Sequence, residues 1–400
     1  MRRSFLRRIP LIQALIFDFD GLILDTEIPG LTAWQEIYAE DGADLSMDLW
    51  GQVVGGTGFT DFEPAAHLEE LTRRPLDHQA LQARWLRRCE ELTAPQPFLP
   101  GVLDYLTEAP RLGLHLAIAS SSPHAWVDAH LARLGLSAAF EVIVCAEDVA
   151  QVKPNPDLCL AALAFLAIRP EEAVVLEDSP NGVKAAKAAG LRAVAVPNAV
   201  TSQLQIEGAD VVLDSLAALP LTSLLNRLGD PLGIRPETPR DVAGIRSLHG
   251  KAFGHGREAD LVDLIRAHHR AALSLVAVNG GEVLGHLLFS KVVLQPQPWA
   301  LRGLGLGPVA VLPEFQRRGI GSRLIRAGLE LCREQGYDFV VLLGDPAYYR
   351  RFRFQRACDH SLENEYGADH EFMVLELQPG ALAKASGQVE YPPEFKATGC

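Results

Sequence analysis

A chain of 400 residues exceeds what one domain usually needs, and at about 150 residues per domain it should hold two or three. Hydrophobic residues at 48% and charged residues at 22% exclude a disordered chain, and a formal net charge of -13 argues against general nucleic-acid or anionic-membrane binding. Six cysteines without C-x-x-C or Cys/His ligand spacing point to reduced thiols and a cytoplasmic location.

The basic start Met1–Pro10 resembles the opening of a signal peptide, but the apolar run behind it is short and soon carries Asp18 and Asp20, which argues against secretion. No apolar stretch is long enough to span a membrane. From Leu11 to about Leu221, short apolar runs alternate with helical patterns: Ala14–Phe17, Leu114–Ala119, Val142–Cys145, Ala173–Leu176 and Ala193–Val196. That alternation predicts a parallel α/β sheet. Between the first two runs, about residues 27–98, apolar residues recur at helical spacing, which predicts an inserted helical cap. Trp34, Ile37 and Tyr38 make one core face there, and Leu81, Trp85, Leu86 and Cys89 another. Gly55-Gly56-Thr57-Gly58 reads as a helix-joining turn, with approach to a substrate as the alternative.

The turn residues Gly229-Asp230-Pro231-Leu232-Gly233 mark a linker, giving domains over 1–228 and 234–400. In the second domain Leu273–Val278, Val283–Ser290, Gly307–Val311 and Phe339–Leu343 read as strands, the first two joined by the hairpin signal Asn279-Gly280-Gly281. A helix should follow from Ser322 to about Gln335, stopped by Gly336.

In an open parallel sheet, ligands gather outside the carboxyl ends of the strands. Four such ends carry polar residues here: Asp18 and Asp20; Ser120 and Ser121; Lys153 in a loop; Glu177 and Asp178. Asp18 and Asp20 stand at i and i+2, so they face one side if extended geometry persists, and paired carboxylates can divide nucleophilic attack from proton transfer. The set matches the needs of phosphoryl transfer to a carboxylate. A phosphate dianion repels an attacking carboxylate, so Mg2+ on Asp18, Asp178, Glu177 and the main-chain carbonyl of Asp20 would offset that charge. Ser120 can hydrogen-bond a phosphate oxygen, and Lys153 can either neutralise another or orient Asp18.

These segments, Phe17-Asp18-Phe19-Asp20-Gly21 through Asp25-Thr26-Glu27, Ala119-Ser120-Ser121-Ser122, Lys153-Pro154-Asn155-Pro156-Asp157 and Leu176-Glu177-Asp178-Ser179-Pro180-Asn181-Gly182, resemble the four motifs of haloacid-dehalogenase-superfamily phosphatases. The resemblance implies a Rossmann-like core with a helical cap and an aspartyl-phosphate intermediate. Asp20 marks the phosphate-transferring members. The beta-phosphoglucomutase branch shares the Asp25-Thr26 style of motif, but Gly30 stands where that branch carries a His, which favours a phosphatase over a mutase.

In the second domain, Val309-Ala310-Val311 ends a strand, Gln316-Arg317-Arg318-Gly319-Ile320-Gly321 makes a turn, and Ser322 opens a helix. Glycines let a ligand approach the main chain, helix-start N–H groups suit an anion, and Arg317, Arg318 and Arg323 add charge. This half resembles the GNAT acetyltransferases over roughly Leu232 to Phe395. The resemblance implies an α+β acyltransferase fold, the acetyl-CoA pyrophosphate on the turn and the pantetheine along the preceding strand. It also makes Tyr349 the candidate acid for the departing CoA thiolate, with Tyr348 as the competitor and Glu314 or a water relay as the base.

Together these features lead to the expectation of a bifunctional enzyme: a Mg2+-dependent phosphatase of small phosphorylated metabolites joined to an acetyl-CoA-dependent N-acetyltransferase with an amine acceptor. A phosphosugar mutase in the first half and an acetyl-CoA-sensing second half are the alternatives.

Overall fold

The computed structural model describes residues 11–51, 62–296 and 301–400. The leader Met1–Pro10 and the turn Gly55-Gly56-Thr57-Gly58 lie outside the described residues. The chain divides into two compact units whose main bodies are Ile12–Ala109 with His115–Asp230, and Pro231–Cys400.

In the first unit six strands form one parallel sheet: β1 (Ala14–Phe17), β2 (His115–Ala119), β3 (Val142–Val144), β4 (Ala173–Glu177), β5 (Arg192–Ala195) and β6 (Val211–Val212). Their order is β3-β2-β1-β4-β5-β6, so β1, the run that leads into Asp18, lies in the middle. Every residue of β1, β2 and β4 is buried, as strands covered on both faces require. Phe17 pairs with Ile118 on one side and Leu176 on the other, so the chain leaves β1, β2 and β4 at one level, and their following residues share one end of the sheet.

Helices Glu27–Glu40, Met47–Trp50, Pro64–Thr72 and His78–Thr93 follow β1 and form a separate apolar cluster. Trp34, Ile37 and Tyr38 are buried in it, as their helical spacing predicts. Cys89 is buried too, while Leu86 on the same helix is 46% exposed, which corrects its placement in the core face. The indole of Trp85 instead turns inward and donates to the Gly30 carbonyl at 2.9 Å.

The second unit is a mixed sheet. Its leading strands are β7 (Gly233–Pro236), β8 (Ala271–Asn279), β9 (Glu282–Gln295), β10 (Gly303–Val311) and β11 (Phe339–Leu343). They are followed by β12 (Gln355–Arg356), β13 (Leu362–Asn364), β14 (Phe372–Glu376) and β15 (Gly387–Glu390). The β8–β9 hairpin closes through Gly280 and Gly281, both at positive φ, with Asn279 paired to Glu282. Strands β10 and β11 pair in parallel from Gly303–Phe339 to Gly305–Val341, and the pairing ends there. On its other edge β10 shifts register against β9 between Leu306 and Val309. Helix Ile320–Glu334 connects β10 to β11 and packs Leu324, Ile325 and Cys332 into the core. Helices Val242–Phe253 and Arg257–Ala267, which the sequence reading did not separate from the loop before β8, fill out the unit. No helix among the described residues is long and apolar enough to cross a membrane.

Candidate functional site

The strand of β1 stops at Phe17, so Asp18 and Asp20 do not remain on one face as an extended i, i+2 pair. Asp18 continues the pairing with β4 for one residue, its N–H donating to the Leu176 carbonyl at 2.9 Å. Its carboxylate turns back into the protein. Oδ1 accepts from the Phe19 N–H at 2.7 Å and from Lys153 Nζ at 2.6 Å. Lys153 stands equally close, 2.6 Å, to Glu177 Oε1. Asp178 completes the cluster: one oxygen each from Asp18, Glu177 and Asp178 lie within 4.8 Å of one another, and all three residues are buried.

Three buried carboxylates thus face one lysine. The Asp18 carboxyl is pushed up to about 7, first by burial and then by Glu177, against the pull of Lys153. Burial and the charges of Asp18 and Glu177 raise Asp178 well above the carboxylate range. For Lys153, burial opposes the ammonium, yet Asp18 and Glu177 outweigh it and hold the proton firmly. An all-oxygen donor set with surplus negative charge fits a hard divalent cation of the Mg2+ kind. Gly21 makes the approach possible: its φ is +73°, and a Cβ there would stand 2.4 Å from Asp178 Oδ2.

Asp20 takes a different course. It forms an isolated bridge with Leu24, and its carboxylate accepts from Ser122 Oγ at 2.6 Å, from Trp126 Nε1 at 2.9 Å and from Ser120 Oγ at 3.4 Å. Ser120 is fully buried, and its Oγ also accepts from the Ser122 N–H at 3.1 Å. Asp18, Asp20, Ser120, Lys153, Glu177 and Asp178, which the sequence placed at separate strand ends and loops, therefore gather at one end of the sheet.

Sequence reasoning missed Asn198 and Trp126, and it quoted Glu27 as the end of a motif without giving it a role. Asn198, just past β5, donates to Asp178 Oδ2 at 2.7 Å and to the Gly21 carbonyl at 3.3 Å. The strand-end rule applied to β5 would have found it. Glu27 opens the first cap helix, and loss of solvent followed by the charges of Asp20, Asp18 and Asp25 pushes it up to about 8. Trp126 has no local signal, being one aromatic residue in helix His124–Leu134. At Gly30 a Cβ would meet the Trp50 ring at 3.0 Å, so a larger side chain there requires that ring to give way.

In the second unit the turn after β10 carries two residues at positive φ, Arg317 at +59° and Gly319 at +84°. Gly319 caps helix Ile320–Glu334, whose first N–H groups, including those of Ile320, Gly321 and Ser322, lack intrahelical partners by geometry. Gln316 and Arg317 are exposed, and Gln316 Nε2 donates to the Val311 carbonyl at 3.0 Å, tying the turn to the strand. Arg318 lies 5.8 Å over the Phe315 ring. Arg323 is fully buried, so the charge expected from it at the turn is not presented there. Val309 and Val311 are half-buried and flank the buried Ala310.

The two tyrosines meet edge-on, ring centroids 5.0 Å apart, but differ in their other partners. Tyr348 Oη reaches Ser322 Oγ at 3.5 Å, at the start of the helix. Tyr349 packs its ring against Phe354 and Phe352, and burial, with Tyr348 beside it, pushes its hydroxyl up to about 12. A phenol held at about 12 is a weaker acid than a thiol, so in this geometry transfer of its proton to a thiolate is uphill. The same unit buries a polar pair without sequence signal: His249 Nε2 and His286 Nδ1 are 2.9 Å apart, and His286 Nε2 meets Ser274 Oγ at 2.9 Å. Burial and the neighbouring His286 push His249 down to about 3, so this pair is a neutral link between helix and sheet.

Comparison with known proteins finds a different family in each half of the chain. The family model "Haloacid dehalogenase-like hydrolase" matches residues 15–196, and "Acetyltransferase (GNAT) domain" matches residues 233–357. YhcW of Bacillus subtilis (strain 168), named as a phosphatase, is 45% identical over 219 residues, covering 54% of this chain and 98% of YhcW. YhbS of Escherichia coli (strain K12), named as an uncharacterized N-acetyltransferase, is 38% identical over 164 residues, covering 40% of this chain and 97% of YhbS. The solved Escherichia coli YhbS in complex with CoA is 37% identical with a TM-score of 0.40, covering 42% of this chain and 92% of that one. Both halves are enzyme domains, one of the phosphatase type and one of the acetyltransferase type. The chain belongs to the haloacid-dehalogenase-like hydrolases through its first half and to the GNAT acetyltransferases through its second.

Proposed function

We propose that the first half hydrolyses small phosphorylated metabolites through an aspartyl-phosphate, with Mg2+ held by Asp18, Glu177, Asp178 and the main-chain carbonyl of Asp20. The buried cluster of Asp18, Lys153, Glu177 and Asp178 at the mouth of the sheet carries this reading. Bound there, Mg2+ would offset the repulsion between the Asp18 carboxylate and the phosphate. Asp18 attacks phosphorus, the phosphorus–oxygen bond to the leaving group breaks, and Asp20 gives its proton to the departing oxygen. Asp20 then takes a proton from water as that water attacks phosphorus, breaking the bond to Asp18 and releasing phosphate. Lys153 and Ser120 steady the charge spread over the phosphoryl oxygens.

The second half transfers an acetyl group from acetyl-CoA to an amine. The pyrophosphate lies on the N–H groups of Gln316, Arg317, Arg318, Gly319, Ile320, Gly321 and Ser322, and the pantetheine runs along Val309, Ala310 and Val311. Amine nitrogen attacks the thioester carbonyl, the carbon–sulfur bond breaks, and Tyr349 protonates the thiolate while Glu314 or water takes the amine proton. Tyr349→Phe is expected to lower kcat about a hundredfold with little change in the KM for acetyl-CoA. Tyr348→Phe, measured beside it by CoA release, should change kcat less; the reverse order would move the acid role to Tyr348.

Joining the two activities in one cytoplasmic chain fits a shared pathway, with an amine-bearing phosphate such as an amino-sugar phosphate as the connecting compound. Phosphorylated amines incubated with Mg2+ and acetyl-CoA should show both phosphate release and CoA release, and EDTA should stop only the former. Turnover of non-overlapping substrate sets would sink the shared pathway, phosphate migration without release would establish a mutase, and acetyl-CoA binding without transfer to any amine would establish a sensor.

A further inference from the structure

A carboxylate that must give and take a proton needs one oxygen kept open for it. Asp20 has both oxygens engaged, but by partners of different kinds. Oδ2 meets Ser122 Oγ at 2.6 Å and Ser120 Oγ at 3.4 Å, and a hydroxyl can donate to an ionised carboxylate or accept from a protonated one. Oδ1 meets Trp126 Nε1 at 2.9 Å, and an indole N–H can only donate. A protonated Oδ1 is a weak acceptor, so a proton there would weaken the indole bond, whereas a proton on Oδ2 leaves the indole bond in place and can face the Ser122 hydroxyl turned around to accept it.

The tryptophan is itself held. Its ring packs edge-on against His130 at 4.4 Å, and His130 stacks on Phe19 at 6.3 Å, the residue between the two catalytic candidates. The path Asp20–Trp126–His130–Phe19 thus returns to the segment it started from. Trp126 also lies on the helix that follows the Ser120–Ser122 loop, so the element that holds Ser120 also fixes Asp20.

We propose that Trp126 is a positioning residue for the phosphatase half, reserving Asp20 Oδ2 for the proton that passes to the leaving oxygen and later returns from water. The proposal rests on the assignment of Asp20 as the acid and base. When phosphate takes the Ser120 hydroxyl, Asp20 gives up its 3.4 Å contact and keeps the two shorter ones, from Ser122 and Trp126. No residue other than Asp20 and the serine hydroxyl changes protonation or rotamer in this scheme.

Leaving-group dependence separates positioning from mere folding. Glycerol 2-phosphate expels an alkoxide that needs a proton, while 4-nitrophenyl phosphate expels a phenolate that does not. Trp126→Phe retains an aromatic ring against His130 but removes the donor. It is expected to lower kcat/KM on glycerol 2-phosphate, which reports the step that expels the leaving group, roughly tenfold to a hundredfold, the effect of losing one hydrogen bond to a charged group. kcat/KM on 4-nitrophenyl phosphate should be unchanged, because its leaving group needs no proton and water attack on the aspartyl-phosphate does not enter that ratio, and Trp126→His, which restores a ring N–H, should recover part of the loss. Equal losses on both esters, or none on either, would overturn the proposal. Asp20→Asn, run in parallel, tests the underlying assignment: if it does not discriminate between the esters, the acid role itself fails, whatever Trp126 does.

Discussion

Asp18→Asn is expected to reduce phosphate release by at least about four orders of magnitude, the scale on which removal of a catalytic nucleophile acts. The substitution keeps the shape of the side chain, so the loss would come from chemistry. An amide oxygen is neutral and a poor nucleophile, and it brings no charge to a cation shared with Glu177 and Asp178. Stability should move the other way. The Asp18 carboxyl is raised to about 7 by burial and by Glu177, so between the ordinary carboxylate range and that value the native state holds its proton more firmly than the unfolded chain does. Stability contributed by this group is therefore present at low pH and lost as pH rises through about 7 in metal-free protein. Asparagine cannot ionise, so the variant in EDTA should melt at a higher temperature than the parent at pH 8, with a smaller difference at pH 5. Acetyl transfer should be unaffected. Undiminished hydrolysis would place the nucleophile elsewhere.

How far the sequence carried the structure depends on whether a signal is local. The strands of the first half are continuous apolar runs because both faces of a parallel sheet are covered, and this made β1, β2 and β4 legible to within a residue or so. The strand-end rule then gathered Asp18, Ser120, Lys153, Glu177 and Asp178 without knowledge of their distances. It failed where the chain leaves regular structure. Asp20 does not follow Asp18 along a strand; a turn redirects it to Ser122 and Trp126, and the turn depends on partners about a hundred residues away. Glu27 reads as an ordinary acid at a helix start, and its raised affinity for protons comes from burial and from carboxylates brought near only by the fold. In the second half the hairpin was legible from Asn279-Gly280-Gly281 alone. The last strands, such as β13 and β15, are three or four residues long and partner distant segments, which no periodicity over so short a run can reveal. Arg323 shows the converse error, since a basic residue beside a glycine turn invites a charge role, yet its side chain is fully buried and donates from Nε to the distant Leu112 carbonyl at 3.0 Å.

For the second half, the largest expected effect follows from Gly319→Asp. The backbone at Gly319 has φ +84°, where most side chains cost about 1–2 kcal/mol but aspartate is among the better tolerated. Strain alone should therefore be modest, and Gly319→Ala serves as its control. Charge should act more strongly. A helix start carries about half a positive charge from its unpaired N–H groups, and the turn adds Arg317 and Arg318, so this is where a pyrophosphate would be held. A carboxylate placed at the cap would repel that pyrophosphate at close range, although φ +84° is not the extended backbone from which an N-cap aspartate reaches the second and third N–H groups. Calorimetry should show the Kd for acetyl-CoA raised a hundredfold or more, about 2.7 kcal/mol, with Gly319→Ala raising it roughly tenfold or less. Raised salt should narrow the gap between the two variants, because the added repulsion is screened while backbone strain is not. If Gly319→Asp binds acetyl-CoA as tightly as Gly319→Ala, the cofactor does not place its phosphates on this turn, and the assignment of Gln316 to Ser322 falls with it.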